Sequence, residues 1–390
     1  MPKKTRFKIK FPFFLLTIFI IAFATFLGVD YFRNNLFHRS DVSNYKSTDN
    51  GLGILGASEI GNLNTEVKPN LADNNFTSAL IVGMDTRDGE VKNGVLFNEP
   101  PPGVNGSRNA DTIMQAVFDH RTNNIFLISM PRDIGVDVRE DCLHYAGPIY
   151  AVYDKAQKKN CPGGGVEVLK KTVTGITGIP IQYHVFITLD LFQEIIKTVG
   201  QKDSNGNVGI IVDNPKGFSD LYPSSTHTGY DSVYFPKGQL FLTPYRALQF
   251  ARTRQWTSDW DRDHRQQLVV EAVAKSVLST DTWLNPEKIY SMYQAYKDKV
   301  VASTPKDIFE IISLMDLARK VDTKNIYNLV LGPEFGGHEV YLNKQPHDRP
   351  GPYYMVPTAW KSCPGNEYCK VQEYIRQIID DPGLLVDSSY

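Results

Sequence analysis

Most of the motifs that would disclose a function at a glance are missing. The 390 residues hold no Gly-x-Ser-x-Gly elbow, no His-Glu-x-x-His zinc helix and no Gly-x-x-x-x-Gly-Lys-[Ser/Thr] phosphate loop. Those absences remove the α/β-hydrolase, zincin and P-loop readings. Net charge is also missing: 42 Lys and Arg stand against 43 Asp and Glu, for −1. Five of the cations (Lys3, Lys4, Arg6, Lys8, Lys10) lie in the first ten residues, which leaves 37 cations against 43 acids, or −6, for the rest. Binding to nucleic acid rests on phosphate neutralisation by a basic surface, so a mildly acidic chain excludes it as the main partner. Cysteine is scarce. The four residues Cys142, Cys161, Cys363 and Cys369 form no Cys-x-x-Cys and have no nearby His pair, which weakens a zinc site. They fall into two local pairs, and disulfides within each pair are the expectation, with free thiols the alternative. No internal repeat is found.

One long apolar run is present. Phe11–Val29 holds 19 residues without a charge, long enough to cross a hydrocarbon core as a helix. The five cations before it place the N-terminus in the cytoplasm and everything after residue 29 outside. Ala22-Phe23-Ala24 resembles a signal-peptide cleavage site, but the run continues through Phe26, Leu27 and Val29, which favours an uncleaved anchor. The expected organisation is a basic cytoplasmic segment over 1–10, a transmembrane helix over 11–29 and a polar linker over 30–75. One exported domain over 76–380 and a tail over 381–390 complete it. With 42% hydrophobic residues that domain can bury a sizeable core.

Within the domain, period-two and short apolar runs predict strands at Thr77–Asp85, Thr112–Asp119, Ile125–Pro131, Ile181–Thr188, Val208–Asp213, Ile326–Leu331 and Tyr353–Val356. Helical spacing marks Val152–Lys159, Gly165–Val173, Asp190–Val199, Thr243–Arg252, Arg262–Leu278, Ile308–Met315 and Lys370–Ile379. Thr243 is read as the N-cap before Pro244, Asp261 as an N-cap candidate, and Gly200 as a helix stop. Strands interleaved with helices predict an α/β fold, a central mixed sheet flanked by helices on both faces.

Polar clusters interrupt the ends of three strands. Asp85 and Arg87 follow the first, Arg108 and Asp111 precede the second, and Arg132 and Asp133 follow the third. Strand ends are where α/β proteins hold ligands. A fourth cluster, "ARTRQWTSDWDRDHRQQ", packs Arg252, Arg254, Arg262 and Arg265 into fourteen residues. Taken singly, each cluster reads as turn chemistry or a solvated ion pair. Together they give several arginines, which match phosphate oxygens bidentately. They also give two carboxylates, Asp85 and Asp111, suited to a hard cation such as Mg²⁺. That inventory, without a nucleophile, suits phosphoryl transfer.

The segments "LIVGMDTRDG", "ADTIMQAVFDHRTNNIFLISMPRDIGVDV", "LTPYRALQFARTRQ" and "DWDRDHRQQLVVEAVAKSVLS" resemble, in order and spacing, the LytR–CpsA–Psr family of bacterial envelope enzymes. The resemblance runs from about Phe76 to Ile379. It implies an α-β-α domain that moves a glycopolymer from an undecaprenyl-pyrophosphate carrier to a peptidoglycan sugar hydroxyl, with release of lipid phosphate. It further implies that Asp85 and Asp111 hold Mg²⁺, or Mn²⁺ in its place. Arg87, Arg132, Arg254 and either Arg262 or Arg265 would clamp the pyrophosphate, with Arg108 and Arg252 close by. Arg132 and Asp133 are the catalytic candidates, and Asp263 is the other candidate base. The implied partners are the membrane, the polyprenyl-linked glycan and peptidoglycan, with no nucleic acid. The implied location is the cell membrane, single-pass. Two alternatives use the same residues: a non-catalytic lipid-pyrophosphate binder of the transcription-attenuator type, and a polyprenyl-pyrophosphate hydrolase. The chain departs from the family pattern at "CLHYAGPIYAVYDKAQKKNCPGGG", "GQKDSNGN", "SDLYPSSTHTGYDSVYFP" and "KSCPGNEYCK".

Overall fold

The structure, a computed structural model, describes residues 75–85, 91–92, 95–96, 109–224, 229–277, 301–303, 320, 323–332, 334–335, 338–339, 341–344, 354–357 and 367–385. The expected membrane span, the linker and the helix at Ile308–Met315 lie outside these residues. The elements that matter here are β1 (Phe76–Met84), β2 (Ala110–Asp119), β3 (Asn124–Met130), β4 (Gly135–Glu140), β5 (Leu143–Pro148), α1 (Val152–Lys158), α2 (Gly164–Thr177), β6 (Tyr183–Ile187) and α3 (Leu189–Val199). They continue as β7 (Val208–Asn214), β8 (Phe218–Pro223), β9 (Tyr230–Phe235), β10 (Gly238–Leu242), α4 (Pro244–Arg252), α5 (Asp259–Val277), β11 (Val301–Ala302), β12 (Ile326–Val330), β13 (Tyr354–Pro357) and α6 (Cys369–Asp380).

Six strands make the central sheet, in the order β11-β6-β1-β2-β3-β12. The β1/β2, β2/β3 and β6/β11 pairs are antiparallel, whereas β1/β6 and β3/β12 are parallel. The sheet is therefore mixed, as expected, and helices cover both faces. Ala79, Ile81, Met114, Ala116 and Leu127 point to one face, packed by α3, α4 and α5. Leu80, Val82, Ile113, Val117 and Ile128 point to the other, packed by α1, α2 and α6. Burial on both faces explains why β1 reads as an unbroken apolar run rather than an alternating one. Phe118, Phe126 and Phe186 are among the largest fully buried side chains. Each contributes about 1.5–3 kcal/mol by leaving water.

Several local expectations need correction. α5 begins at Asp259 rather than Arg262, and Asp261 is not its N-cap. Ser258 Oγ accepts from the Asp261 N–H at 3.0 Å, and the Asp261 carboxylate accepts from the Ser258 N–H at 2.9 Å. This reciprocal pair is a capping box, with the acid three residues inside the helix. Burial opposes the Asp261 charge, but the bonds from Ser258 and the nearby Arg265 hold its pKa below the usual carboxylate value. Thr243 precedes a Pro at N1 but makes no side-chain cap bond, whereas Thr188 does cap α3 through Leu191 N–H at 3.3 Å. Gly200 ends α3 because a Cβ there would stand 2.5 Å from the Ile196 carbonyl oxygen and 2.7 Å from that of Gly209.

Among the hairpins that escape the sequence reading are β4/β5 and β8/β9. A disulfide joins Cys142, at the β4/β5 turn, to Cys161 between α1 and α2, closing a separation of 19 residues. The free-thiol alternative is thus set aside for this pair. A loop of that size stabilises by about 3 kcal/mol in the chain-entropy account. Cys369 is also disulfide-bonded, and Cys363 lies outside the described residues.

His184 on β6 illustrates a half-buried polar pair. Its Nδ1 lies 2.7 Å from Ser303 Oγ, which also accepts the His184 N–H at 3.0 Å. Burial, reinforced by Lys170, lowers its pKa from 6.5 to about 4. The folded state therefore binds fewer protons than the unfolded state between those values, and stability falls as pH drops from about 6.5 towards 4. The slope is at most about 1.4 kcal/mol per pH unit for one such group. Urea midpoints measured at pH 7 and pH 5 should show a shallower acid loss in His184→Gln than in the parent. His264, also lowered by burial, contributes the same sign in both proteins and cancels in the comparison. Equal slopes would remove His184 as a source.

Candidate active site

Hairpin topology alone collects the polar clusters. β1 and β2 are antiparallel and pair Met84 with Ala110. Asp85, just past β1, therefore lies opposite Asn109, at the same end of the sheet as Asp111, the second residue of β2, and both line one cavity. β3 runs back along β2 with Met130 opposite Ile113, which brings Arg132 to the same end. β6 is parallel to β1 and pairs Ile187 with Gly83, so Thr188 and the start of α3 arrive there too. The register shifts between Gly83 and Met84, and a Cβ on Gly83 would sit 2.8 Å from Thr112 Cβ and Oγ1. Only glycine lets the strands close so tightly beside the bulge, whose extra residue is Asp111 on β2.

Helices α4 and α5 and the loop between them cross this end of the sheet. A cavity of about 260 Å³ opens beneath them. Its wall includes Ile81, Ile187, Leu189, Phe192, Leu248, Val269 and Val270. Its polar groups are Asp85, Asp111, Thr112, Arg132, Thr188, Arg252, Arg254, Arg262 and Gln266. Two salt bridges tie different elements together: Arg132 to Asp111 at 2.8 Å and Arg252 to Asp85 at 2.7 Å. Arg132 also lies over the Tyr150 ring at 5.9 Å. Arg262, almost fully buried, reaches Asp263 at 3.3 Å. The carboxylates hold the guanidinium groups in place beside an apolar chamber, so the fixed charges need little reorganisation when an anion arrives.

The two arginines left as alternatives separate cleanly. Arg262 lines the cavity. Arg265 is committed elsewhere: it donates to the Phe250 carbonyl at 2.9 Å, to the Thr253 carbonyl and to Thr257 Oγ1 at 3.1 Å, and it covers the Phe218 ring at 4.5 Å. Burial lowers its pKa to about 10 against the pull of Asp261 and Asp220. Of the expected pyrophosphate ligands, Arg132, Arg252, Arg254 and Arg262 converge and Arg265 braces the α4–α5 loop instead. Arg87 and Arg108 lie outside the described residues. Asp133 sits behind Arg132, 3.9 Å from Nε, and is not part of the cavity wall. Asp263 is buried beside Arg262 and is not in the wall either.

Asp220 is a residue the sequence reading passed over. Fully buried on β8, its carboxylate accepts from the N–H groups of Leu221 at 2.7 Å, Gln255 at 2.9 Å and Trp256 at 3.1 Å, and from Thr257 Oγ1 at 3.0 Å. It pins the loop that carries Arg254. Gln266 is another: it lines the cavity and donates to the Ala251 carbonyl at 3.3 Å. Asp85 and Asp111 are the residues able to hold a metal. Among the described residues no cluster of three or more His, Cys, Asp or Glu could enclose one alone. Two oxygen donors beside arginines do fit Mg²⁺, which completes its shell with water and substrate phosphate.

The site is thus an apolar chamber in an α/β domain, bordered by four arginines and two carboxylates. The more particular assignment follows from comparison: the LytR_cpsA_psr family model matches residues 44–344, and the chain belongs to that family. It is 28% identical over 233 residues to the polyisoprenyl-teichoic acid--peptidoglycan teichoic acid transferase TagV of Bacillus subtilis, covering 57% of this chain and 54% of that protein. It is 29% identical over 227 residues to a TagU of the same description from Enterococcus faecalis, covering 56% and 60%. The match thus spans little more than half the length of these relatives. The fold is shared with the crystal structure of Bacillus subtilis TagV, at TM-score 0.52 and 24% identity over 78% of this chain and 97% of that one. A Streptococcus agalactiae protein gives 0.55 and 19% over 80% and 90%.

Proposed function

We propose that this protein transfers a glycopolymer from an undecaprenyl-pyrophosphate-linked carrier to a sugar hydroxyl of peptidoglycan, releasing lipid phosphate. The observation that carries the reading is the convergence of Arg132, Arg252, Arg254 and Arg262 with Asp85 and Asp111 on one largely apolar cavity. A prenyl chain suits the apolar wall, and a pyrophosphate suits the arginines. The teichoic acid transferase descriptions of the similar proteins point the same way. In the reaction the acceptor oxygen bonds to the phosphorus that bears the glycopolymer, the bridging P–O bond to the lipid phosphate breaks, and the hydroxyl proton passes to solvent. Phosphoryl transfer needs positioning and charge stabilisation more than covalent help. The arginines supply both, because they stay charged and are aimed before substrate arrives.

Mg²⁺ held by Asp85 and Asp111 would neutralise pyrophosphate oxygens. In this reading the domain works outside the cell, anchored by Phe11–Val29 with the N-terminus inside. The test is incubation of the full chain in detergent with a polyprenyl-pyrophosphate-linked sugar and peptidoglycan fragments, with Mg²⁺ or with EDTA. A sugar–peptidoglycan product that disappears with EDTA and returns with added Mg²⁺ is expected. Lipid phosphate without that product would favour hydrolysis, and tight binding without turnover would favour a regulatory binder.

A further inference from the structure

The stretch 219–236, one of the departures from the family pattern, contains most of β8 and all of β9, which pair as antiparallel strands, and Tyr222 of β8 meets the arginine cluster. Tyr222 on β8 is buried, and its hydroxyl lies 3.3 Å from Arg252 Nη1, while Nη2 of the same guanidinium holds Asp85 at 2.7 Å. One guanidinium thus joins the phenol to the Asp85 carboxylate. Its ring meets Tyr245 edge to face, with centroids 6.0 Å apart and planes at 90°. Tyr245, Leu248 and Arg252 recur at i, i+3 and i+7 and share one face of α4. Leu248 and Arg252 line the cavity, so Tyr245 extends that face one turn further, yet its ring is left 41% exposed. Trp256 is 63% exposed although its backbone is pinned to Asp220, the neighbour of Tyr222 on the same face of β8. Tyr245 and Trp256 are thus exposed aromatics attached to the arginine site through Tyr222 and Asp220.

We propose that Tyr245 and Trp256, supported by Tyr222, form an aromatic ledge that stacks a pyranose ring next to the phosphate-binding arginines. This rests on the proposed transfer function and adds the place where its sugar lies. The apolar wall takes the lipid and the arginines take the phosphates. The neutral, amphipathic ledge is what remains for a ring with an apolar C–H face and hydroxyl edges. Because Arg252 bonds both Tyr222 and Asp85, the ledge and the anion site are one rigid unit. Either the donor, through the first residue of its glycan, or the acceptor supplies the sugar. The chemistry of stacking is the same.

The test compares the full-length protein in detergent with Tyr245→Ala, Trp256→Ala and the ring-keeping Tyr245→Phe. Binding is measured for one prenyl pyrophosphate without sugar and for the same lipid bearing a sugar, and transfer is measured as KM for a soluble peptidoglycan fragment. The alanine variants should keep the affinity of the parent for the sugar-free lipid and weaken one sugar-dependent constant about tenfold, with Tyr245→Phe close to the parent. A loss in glycolipid affinity assigns the donor sugar, and a rise in acceptor KM assigns the acceptor. Unchanged sugar-dependent constants, or an equal loss for the sugar-free lipid, would overturn the ledge. If the unsubstituted protein binds neither lipid, the proposed function itself fails, and that result is distinct from either ledge outcome.

Discussion

Arg132→Ala should lower the transfer rate by about a thousandfold or more while leaving the thermal midpoint within a few degrees of the parent. The size follows from the role. A guanidinium aimed at phosphoryl oxygens acts mainly in the transition state, and such arginines are worth roughly 10³–10⁵ in rate. Stability is spared because the contacts of Arg132 with Asp111 and the Tyr150 ring are partly exposed, and partly exposed pairs contribute little to folding. Arg132→Lys should recover only a small part, since an ammonium cannot reproduce the planar two-point contact. The decisive readout is single-turnover rate beside a melting curve. A variant that keeps its fold and its rate would remove the pyrophosphate from this end of the sheet.

Asp220→Ala should act the other way, on the fold first. The carboxylate is fully buried and accepts four hydrogen bonds, three of them from the segment Gln255–Thr257. Bonds to a charged acceptor contribute about 1.5–3 kcal/mol each, and donors left unsatisfied in the interior add to the loss. A destabilisation of about 3 kcal/mol or more is expected by urea unfolding. Because the same loop carries Arg254 and is braced by Arg265, transfer by the folded fraction should fall as well. The milder Asp220→Asn keeps one acceptor oxygen and should lie between. A loss below about 1 kcal/mol would mean that Arg265 and the capping box hold the loop unaided.

Where the hydrophobic pattern was strong, the sequence was readable. β1, β2 and β3 are largely buried and mostly apolar, and their ends fall close to the expected positions. The residues they deliver to the site, Asp85, Asp111 and Arg132, could be named for that reason. The missed hairpins β4/β5 and β8/β9 were hidden by charge and hydroxyl groups. In β4 the alternation Val136-Asp137-Val138-Arg139 buries only the valines, and the charged residues drew attention as a polar cluster instead. The sequence reading assigns β8 and β9 no element and marks the stretch only as a departure from the family pattern, whereas Asp220 is at the centre of a buried network. Arg262 and Arg265 show a different limit. Three residues apart on α5, they share a helix face, and only the surrounding carbonyls decide their roles. Three backbone and hydroxyl oxygens claim Arg265, and no one-dimensional pattern reports where the carbonyls of a distant loop will point.

The pairing of β1 with β2 has an evolutionary consequence. Asp85 N–H bonds to the Asn109 carbonyl at 3.4 Å, so the chain that leaves the sheet after Asp85 is fastened where it returns before Asp111. Whatever lies between them is a closed excursion, and its length does not set the spacing of the two carboxylates. Doubling such a connection adds only about 0.6 kcal/mol of closure cost. Insertions or deletions in the middle of residues 86–108 can therefore be accommodated without changing the strand pairing that sets the positions of Asp85 and Asp111.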